Sequence, residues 1–232
     1  MLLSGLKTWK KMVERSVKHS LYCQKELYRR RRNSTVTAAS AIVENLEDRT
    51  LLSAISVSGN TDELIENGDF ETGDLTGWSI DNTGNGGWQI NDGDFDPPGT
   101  GTPLPPVSGN FDAISFQSGP GLHLISENLI VPEDITSATL SWSDRIRNFS
   151  SSFSDPNQEW RVLVLDASGD LIQEVFSTNP GDSLQQIGPN HRSFDLTSLL
   201  QSLEGQSIQI SFEQQDNQGF FNTTLDNVSL LV

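Results

Sequence analysis

Three acidic side chains lie near the two ends of the main part of the chain, each next to apolar residues that are typical of strands. Asp69 and Glu71 belong to the segment 67–71, NGDFE, and Asp226 belongs to the closing segment 224–230, TLDNVSL. If the first and last strands pair, Glu71 and Asp226 come together, and two buried carboxylates repel each other unless a cation neutralises them. Calcium takes roughly six to eight oxygen ligands, and backbone carbonyls of the turn after Asp69 could complete that set. The pattern predicts a structural calcium site of Glu71, Asp226 and Asp69; the alternative is a solvated Glu71 and a polar interruption at Asp226.

Four tryptophans of the main part are candidates for stacking against a sugar ring. An aromatic face covers the C–H surface of a pyranose, while polar neighbours bind its hydroxyls. Trp78, Trp142 and Trp160 are predicted to belong to the core. Trp88 follows two glycines and precedes an acidic loop, so it is the candidate for an exposed platform.

A second candidate for ligand binding is the segment that contains Arg145, Arg147 and Phe149. Two guanidinium groups could grip an acidic or hydroxylated ligand beside an aromatic ring. The alternative is that both arginines pair with surrounding carboxylates. Phe220 and Phe221 form a third candidate surface, and at least one of the two is expected to point inward.

Motifs that carry catalysis are not found. The chain has no GxSxG elbow, HExxH helix, P-loop or dinucleotide-binding glycine fingerprint. His191 has Ser193 and Asp195 close by, but the members of a catalytic triad are assembled across a fold and not from one short run. A pair of carboxylates for glycoside hydrolysis is not distinguishable among so many acidic residues. The sequence therefore predicts a protein that is not an enzyme.

Charge is distributed unevenly along the chain. Residues 1–32 hold ten of the 15 Lys and Arg, and no lysine follows Lys25. The rest carries five arginines against 29 carboxylates, so it repels nucleic acid and attracts divalent cations. The single cysteine, Cys23, cannot form an internal disulfide, and no apolar run is long enough to span a membrane as a helix.

From about Thr61 the sequence changes to short alternating runs separated by Gly, Asn, Asp and Pro, which predicts antiparallel β structure. The nearly continuous apolar run 160–165 indicates a central strand, and the turn 166–170, DASGD, predicts a hairpin to the next strand. Only 195–203 has a helical pattern. The predicted strands are 64–65, 88–90, 113–116, 122–130, 137–145, 160–166, 171–177, 192–195, 207–213 and 222–231.

Residues 81–110 are predicted to be a long loop region, because they are rich in Gly, Asp and Pro. Asp92, Asp94 and Asp96 alternate there as in a calcium loop, but the bidentate glutamate of such loops is missing. A solvated acidic loop is the prediction.

The segment 43–54, VENLEDRTLLSA, resembles the LEPR-XLL segment near the N-terminus of many exported planctomycete proteins, and departs from its pattern at Asp48, where proline is usual. The resemblance implies export to the surface or exterior. The basic leader before it has apolar residues at helical spacing. It is expected to contact an anionic membrane or export machinery, or to be a solvated, partly disordered leader. The predicted division is a leader of residues 1–60 and a domain of residues 61–232.

Residues 61–232 resemble the galactose-binding-like jelly rolls that include many carbohydrate-binding modules. The resemblance rests on NGDFETGDLTGW at 67–78, SGNFDAISFQSGPG at 108–121 and TLDNVSLLV at 224–232. It implies an all-β antiparallel sandwich in which Glu71 and Asp226 help to hold calcium. The expected function is a secreted or cell-surface, monomeric, non-catalytic module that binds carbohydrate or cell-surface glycan. The alternative is an acidic surface or matrix structural protein with calcium-dependent cohesion and no small ligand.

Overall fold

The computed structural model describes residues 61–232, which form eight antiparallel strands and one short helix. The predicted leader, with its LEPR-XLL-like segment, lies outside the described residues. Within residues 61–232, no helix is long and apolar enough to cross a membrane. The elements are β1 (Ser79–Asn91), β2 (Asp112–Ile130), β3 (Thr139–Asn148), β4 (Gln158–Asp166), β5 (Leu171–Ser177), β6 (Gln185–Asp195), α1 (Thr197–Gln201), β7 (Ser207–Asp216) and β8 (Phe221–Leu231).

The strands form two layers that share one long hairpin. The first half of β2 pairs with β8 and the second half with β7, while β1 follows β2 along most of its length. Sheet I therefore has the order β1-β2-β8-β3-β6, and sheet II has the order β1-β2-β7-β4-β5. The predicted all-β fold, an antiparallel jelly-roll sandwich, is confirmed.

Glycines let the shared hairpin bend from one layer into the other. The register of β1 against β2 shifts between Gly84 and Gly86, and both glycines have positive φ. A Cβ at Gly86 would collide with the carbonyl oxygen of Phe116. The predicted loop at 81–110 is wrong in its first part, because residues up to Asn91 belong to β1. Backbone hydrogen bonds to β2 form this part of the strand. Its glycines have no side chains, so the sequence does not show the alternation that is typical of a strand.

Aromatic side chains fill the space between the layers. Trp142 of sheet I meets Phe212 of sheet II with ring centroids 5.5 Å apart, and Trp160 stacks on the same Phe212 at 6.0 Å. Trp78 also packs on Phe212, at 6.1 Å. The predicted core positions of these three tryptophans are confirmed, since all three are buried. Burying a large apolar side chain stabilises a fold by roughly 1.5–3 kcal/mol, so this cluster accounts for much of the adhesion between the sheets.

The first and last segments of the described chain pair, which is the condition for Glu71 and Asp226 to come together. Glu63 forms an isolated bridge with Leu231, and the Val228 N–H donates to the Gly68 carbonyl at 2.9 Å. A Cβ at Gly68 would overlap the Val228 carbonyl, so only glycine fits there. This pairing brings the NGDFE turn next to the end of β8.

The predicted β4–β5 hairpin is also confirmed. Its turn closes with the Gly169 N–H donating to the Asp166 carbonyl at 2.9 Å, and Gly169 has a φ of 82°. The helix is shorter than the predicted 195–203, since α1 covers Thr197–Gln201.

Candidate functional site

Glu71 and Asp226 hold the same short loop from two sides. Glu71 Oε1 accepts hydrogen bonds from the backbone N–H groups of Asn110 (2.8 Å) and Phe111 (3.0 Å), and Oε2 accepts one from Asn110 Nδ2 (3.0 Å). Asp226 Oδ2 accepts hydrogen bonds from the Ser108 backbone N–H (2.9 Å) and hydroxyl (2.8 Å). The structure thus places these two predicted metal ligands around one loop.

The two carboxylates differ in their surroundings. Glu71 is on the surface, and hydrogen bonds from Phe111 and then Asn110 lower its pKa. Asp226 is fully buried, and burial raises its pKa. The charge of Glu71 raises the pKa of Asp226 further, whereas hydrogen bonds from Ser108 lower it. A cation near both groups would reverse this repulsion.

A calcium ion at these two carboxylates would have to compete with the hydrogen bonds that both already accept from residues 108–111. In the described part of the chain, no three His, Cys, Asp or Glu side chains are grouped to hold a metal ion. Backbone carbonyls would therefore have to supply most ligands. Asp69 is exposed, and its Oδ1 accepts a hydrogen bond from the Glu71 N–H at 3.3 Å, so it fixes the turn. It also lines an open groove of about 360 Å³ beside Asn227.

A proline-rich segment, residues 92–110, crosses the outer face of sheet I; we call it the strap. Arg145 donates from Nη1 to the Pro105 carbonyl at 2.6 Å and from Nη2 to the Pro106 carbonyl at 3.3 Å. Asn222 of β8 donates from Nδ2 to the Pro98 carbonyl at 2.8 Å. Two neighbouring strands of sheet I therefore hold the strap at both of its proline pairs.

A buried carboxyl also ties the strap to β2. Asp112 Oδ2 accepts a hydrogen bond from the Val107 N–H at 2.8 Å, and its Oδ1 accepts one from Asn91 Nδ2 at 2.8 Å. Burial raises the pKa of Asp112 to about 7; the charge of Asp226 adds to this rise, and that of Arg145 opposes it. This anchor is therefore sensitive to pH near neutrality.

The prediction that both guanidinium groups are free to grip a ligand is wrong for Arg145. Its side chain is buried, and its donors go to strap carbonyls because this strap lies directly over it. Arg147, two residues further along β3, is half-buried. Its Nη1 is buried and has no hydrogen-bond partner among the described residues. Burial and the charge of Arg145 lower the pKa of Arg147, and Asp112 opposes this effect.

Two exposed aromatic rings lie beside Arg147. Arg147 is paired with Asn222 across β3 and β8. Beyond the next pair, Asn148 and Phe221, the Phe149 N–H donates to the Phe220 carbonyl at 2.9 Å. Side chains two residues apart on a strand share a face, so Phe149 and Phe220 continue the face of Arg147 and Asn222. Phe149 is 38% exposed and Phe220 is 43% exposed. We call Phe149, Phe220, Arg147 and Asn222 the aromatic-arginine cluster.

Only one of the two adjacent phenylalanines is exposed, as the sequence predicts. Phe221 is fully buried and lies 6.0 Å from the ring of Phe153. One side of the Phe149 ring is covered by Gly99 of the strap, where a Cβ would come within 2.9 Å of the ring. The other parts of the ring remain accessible.

The prediction that Trp88 is an exposed platform is wrong. Trp88 is buried, and its ring lies 5.9 Å from that of Trp160 between the sheets. Its strand neighbours Gln89 and Ile90 show why: the apolar residues 88 and 90 alternate with polar ones and share the inner face.

The remaining candidates form no site. Asp92, Asp94 and Asp96 are exposed, and the nearest polar partner of Asp96 Oδ1 is the Thr100 hydroxyl at 2.6 Å. His191 is exposed, and its Nδ1 shares a hydrogen bond with the Ser143 hydroxyl at 2.9 Å, rather than with Ser193.

Sequence reasoning missed Asn222 and Thr224, which face outward from β8. Asn222 Oδ1 and Thr224 Oγ1 are buried without a hydrogen-bond partner in the described part of the chain. The alternation of β8 contains the signal, because Phe221, Thr223 and Leu225 point inward and the residues between them point to the strap.

No protein-family model matches this chain, and no curated protein matches it. Several solved structures show a weak likeness in overall fold. TmCBM61, solved in complex with β-1,4-galactotriose, is 12% identical, and the match covers 73% of this chain and 97% of that chain with a TM-score of 0.49. The K3 cleaved adhesin domain of Lys-gingipain from Porphyromonas gingivalis W83 is 14% identical over 74% of this chain and 98% of its own, with a TM-score of 0.48. A structure from the carbohydrate-binding modules of the β-sandwich superfamily is 14% identical over 71% of this chain and 60% of its own, with a TM-score of 0.47.

Proposed function

We propose that residues 61–232 form a non-catalytic binding module for carbohydrate or cell-surface glycan. The observation that carries this proposal is the aromatic-arginine cluster, where two exposed rings stand beside a half-buried guanidinium group. Sugar rings stack on aromatic faces, while a small number of fixed polar groups select their hydroxyls. The cluster offers both kinds of group on one face of a rigid sheet.

The polar part of the cluster is held in place before any ligand binds. Asn222 is fixed by its hydrogen bond to the Pro98 carbonyl, so its Oδ1 points in a defined direction. The Arg147 backbone belongs to β3, a strand hydrogen-bonded to strands on both sides. Preorganised groups lose little conformational entropy on binding, which favours affinity.

A structural calcium at Glu71 and Asp226, with Asp69 in the same turn, remains part of the proposal. The repulsion between the two carboxylates supports it. Such an ion would tie the first turn, the strap and β8 together. The protein is proposed to be monomeric and to act at the cell surface or outside the cell, where calcium and polysaccharide are both available.

The charge of the domain favours a second candidate function. Five of the 31 acidic residues precede residue 61, so 26 remain in the described part against four arginines. Such a surface suits an acidic matrix protein that coheres through calcium and binds no small ligand. This second function predicts calcium-dependent self-association without glycan binding.

A polysaccharide array probed with the full chain tests the first function. Phe149→Ala and Phe220→Ala are each expected to weaken binding at least about fivefold, because truncating a central aromatic contact commonly costs more than about 1 kcal/mol. Leu171→Ala is the matched control, since Leu171 is 60% exposed on β5 of sheet II.

Unchanged binding in both phenylalanine variants would move the site elsewhere. Absence of binding to every polysaccharide, together with sedimentation as larger species in calcium, would favour the second function instead.

A further inference from the structure

Basic side chains are rare in the described part of the chain, and they fall into two kinds. Two arginines form ion pairs with carboxylates, at 2.8 Å for Arg161 and Glu213 and at 2.5 Å for Arg192 and Asp144. The other two lie side by side on the outer face of β3 and form no ion pair with a carboxylate of residues 61–232. They are Arg145 and Arg147.

Arg145 has a structural role that explains its position, whereas Arg147 has none. The donors of Arg145 hold the strap. The buried Nη1 of Arg147 has no acceptor in the described residues, although a guanidinium group has five N–H donors to satisfy. The charge of Asp112 acts on Arg147, but both oxygens of Asp112 already accept hydrogen bonds from Asn91 and Val107. The positive charge of Arg147 is therefore left without a hydrogen-bonded counter-charge.

Leaving such a charge partly buried is unfavourable. Removing a cation from water is energetically costly unless an anion or hydrogen bonds compensate. The neighbouring Arg145 increases this cost, and both effects lower the pKa of Arg147. A ligand that brings a negative charge would relieve the cost, whereas a neutral sugar would supply only acceptors.

We infer that the glycan bound at the aromatic-arginine cluster carries a carboxylate, and that Arg147 binds it. This inference rests on the proposed function and names the ligand class of that site. A carboxylate matches the planar fork of a guanidinium group and forms charge-assisted hydrogen bonds with it. Sugars with this group are uronic acids and other acidic sugars.

The surroundings of Arg147 suit such a sugar. Phe149 and Phe220 offer faces for its ring beside the charge. Asn222, the cross-strand neighbour of Arg147, adds no negative charge that would repel a carboxylate at this position. Residues 61–232 are otherwise strongly acidic, so an anionic sugar is repelled by most of this surface and meets an unpaired positive charge only near these arginines.

The experiment compares each acidic polysaccharide with its own carboxyl-reduced form, which keeps sugars and linkages and removes only the charge. The full chain is titrated with oligosaccharides of galacturonate, of glucuronate and of alginate, and with their reduced counterparts. We expect at least one native form to bind about ten- to a hundredfold more tightly than its reduced form, as loss of a charge-assisted hydrogen bond predicts.

Arg147→Gln is expected to abolish this preference, so that the native and reduced forms bind this variant about equally. Arg147→Lys keeps the charge but loses the planar fork, so it should retain part of the preference and controls for folding. The inference is overturned, with the proposed function intact, if native and reduced forms bind equally or if Arg147→Gln keeps the preference. Binding of a sulfated galactan in place of all uronates would overturn the carboxylate assignment. Binding of no glycan at all would remove the proposed function together with the inference.

Discussion

Replacing Asp112 by asparagine is expected to make the domain less sensitive to pH. Asp112 is fully buried between Asn91 and the strap, and each of its oxygens accepts one hydrogen bond of 2.8 Å. Burial raises its pKa from 3.8 to about 7. Asparagine has nearly the same shape and carries no charge, so it separates the cost of the charge from the packing.

The sign of the effect follows from proton binding. Between about pH 4 and pH 7 the folded state holds a proton on Asp112 that the unfolded state has lost. The stability contributed by the neutral carboxyl is therefore fully present below the unfolded pKa and is lost as the pH rises through 7. The difference between the pKa values of 3.8 and about 7 corresponds to a loss of about 4 kcal/mol in the free energy of unfolding at most, at about 1.36 kcal/mol per pH unit. Asparagine does not ionise, so the variant keeps its free energy of unfolding as the pH rises. Its amide group replaces one acceptor by a donor, which costs about 1 kcal/mol at every pH.

Urea unfolding of the full chain at pH 5 and pH 8, in the presence of a chelator, measures the difference. The free energy of unfolding of Asp112→Asn relative to the natural chain should rise by about 2–4 kcal/mol between the two pH values. The other buried carboxyls with a raised pKa, which are Glu127, Glu159, Asp216 and Asp226, are common to both proteins. Asp94→Asn, an exposed substitution on the same strap, is the control. Parallel pH profiles of the two proteins would refute the reasoning.

Two further outcomes are expected. Calcium at about a hundred times its dissociation constant should stabilise the full chain by about 2.7 kcal/mol, which raises the melting temperature by about 5–10 °C, and Asp226→Asn should remove this response. The same calcium response in that variant would place the ion elsewhere. Arg145→Gln should increase limited proteolysis within the strap by at least about tenfold, because both carbonyl contacts are lost or weakened. Equal cleavage of both proteins would show that Asn222 and Asp112 hold the strap without Arg145.

The sandwich could be predicted because its strands alternate between a buried and an exposed face. The hairpin after Asp166 and the pairing of the two ends were also within reach, since turn residues and acidic motifs mark them. The same alternation, applied to residues 88–91, indicates that Trp88 points inward. The glycines and aspartates around Trp88 led to the wrong prediction. The two-residue alternation of a strand is a better guide than local composition to the face on which a side chain lies.

The strap contacts could not be predicted, because they join residues far apart in sequence. Arg145 is about 40 positions from Pro105 and Pro106, and Asn222 is 124 positions from Pro98. Neither proline carbonyls nor an arginine on a strand carry a sequence signal for such a pair. The aromatic-arginine cluster was foreseen in part, since Arg147 and Phe149 were candidates, but the role of Asn222 depends on its register with β3.

The place of β8 in the topology determines the order in which the layers can be completed. β8 follows the other seven described strands in sequence, yet it lies in the middle of sheet I, with β2 on one side and β3 on the other. Sheet II contains no part of β8, so its five strands can associate as soon as β7 is available. During synthesis the second half of β2 can thus be paired while its first half still lacks a neighbour on one side. Sheet I, and with it the face that carries the aromatic-arginine cluster, is created only when the final residues of the described chain arrive.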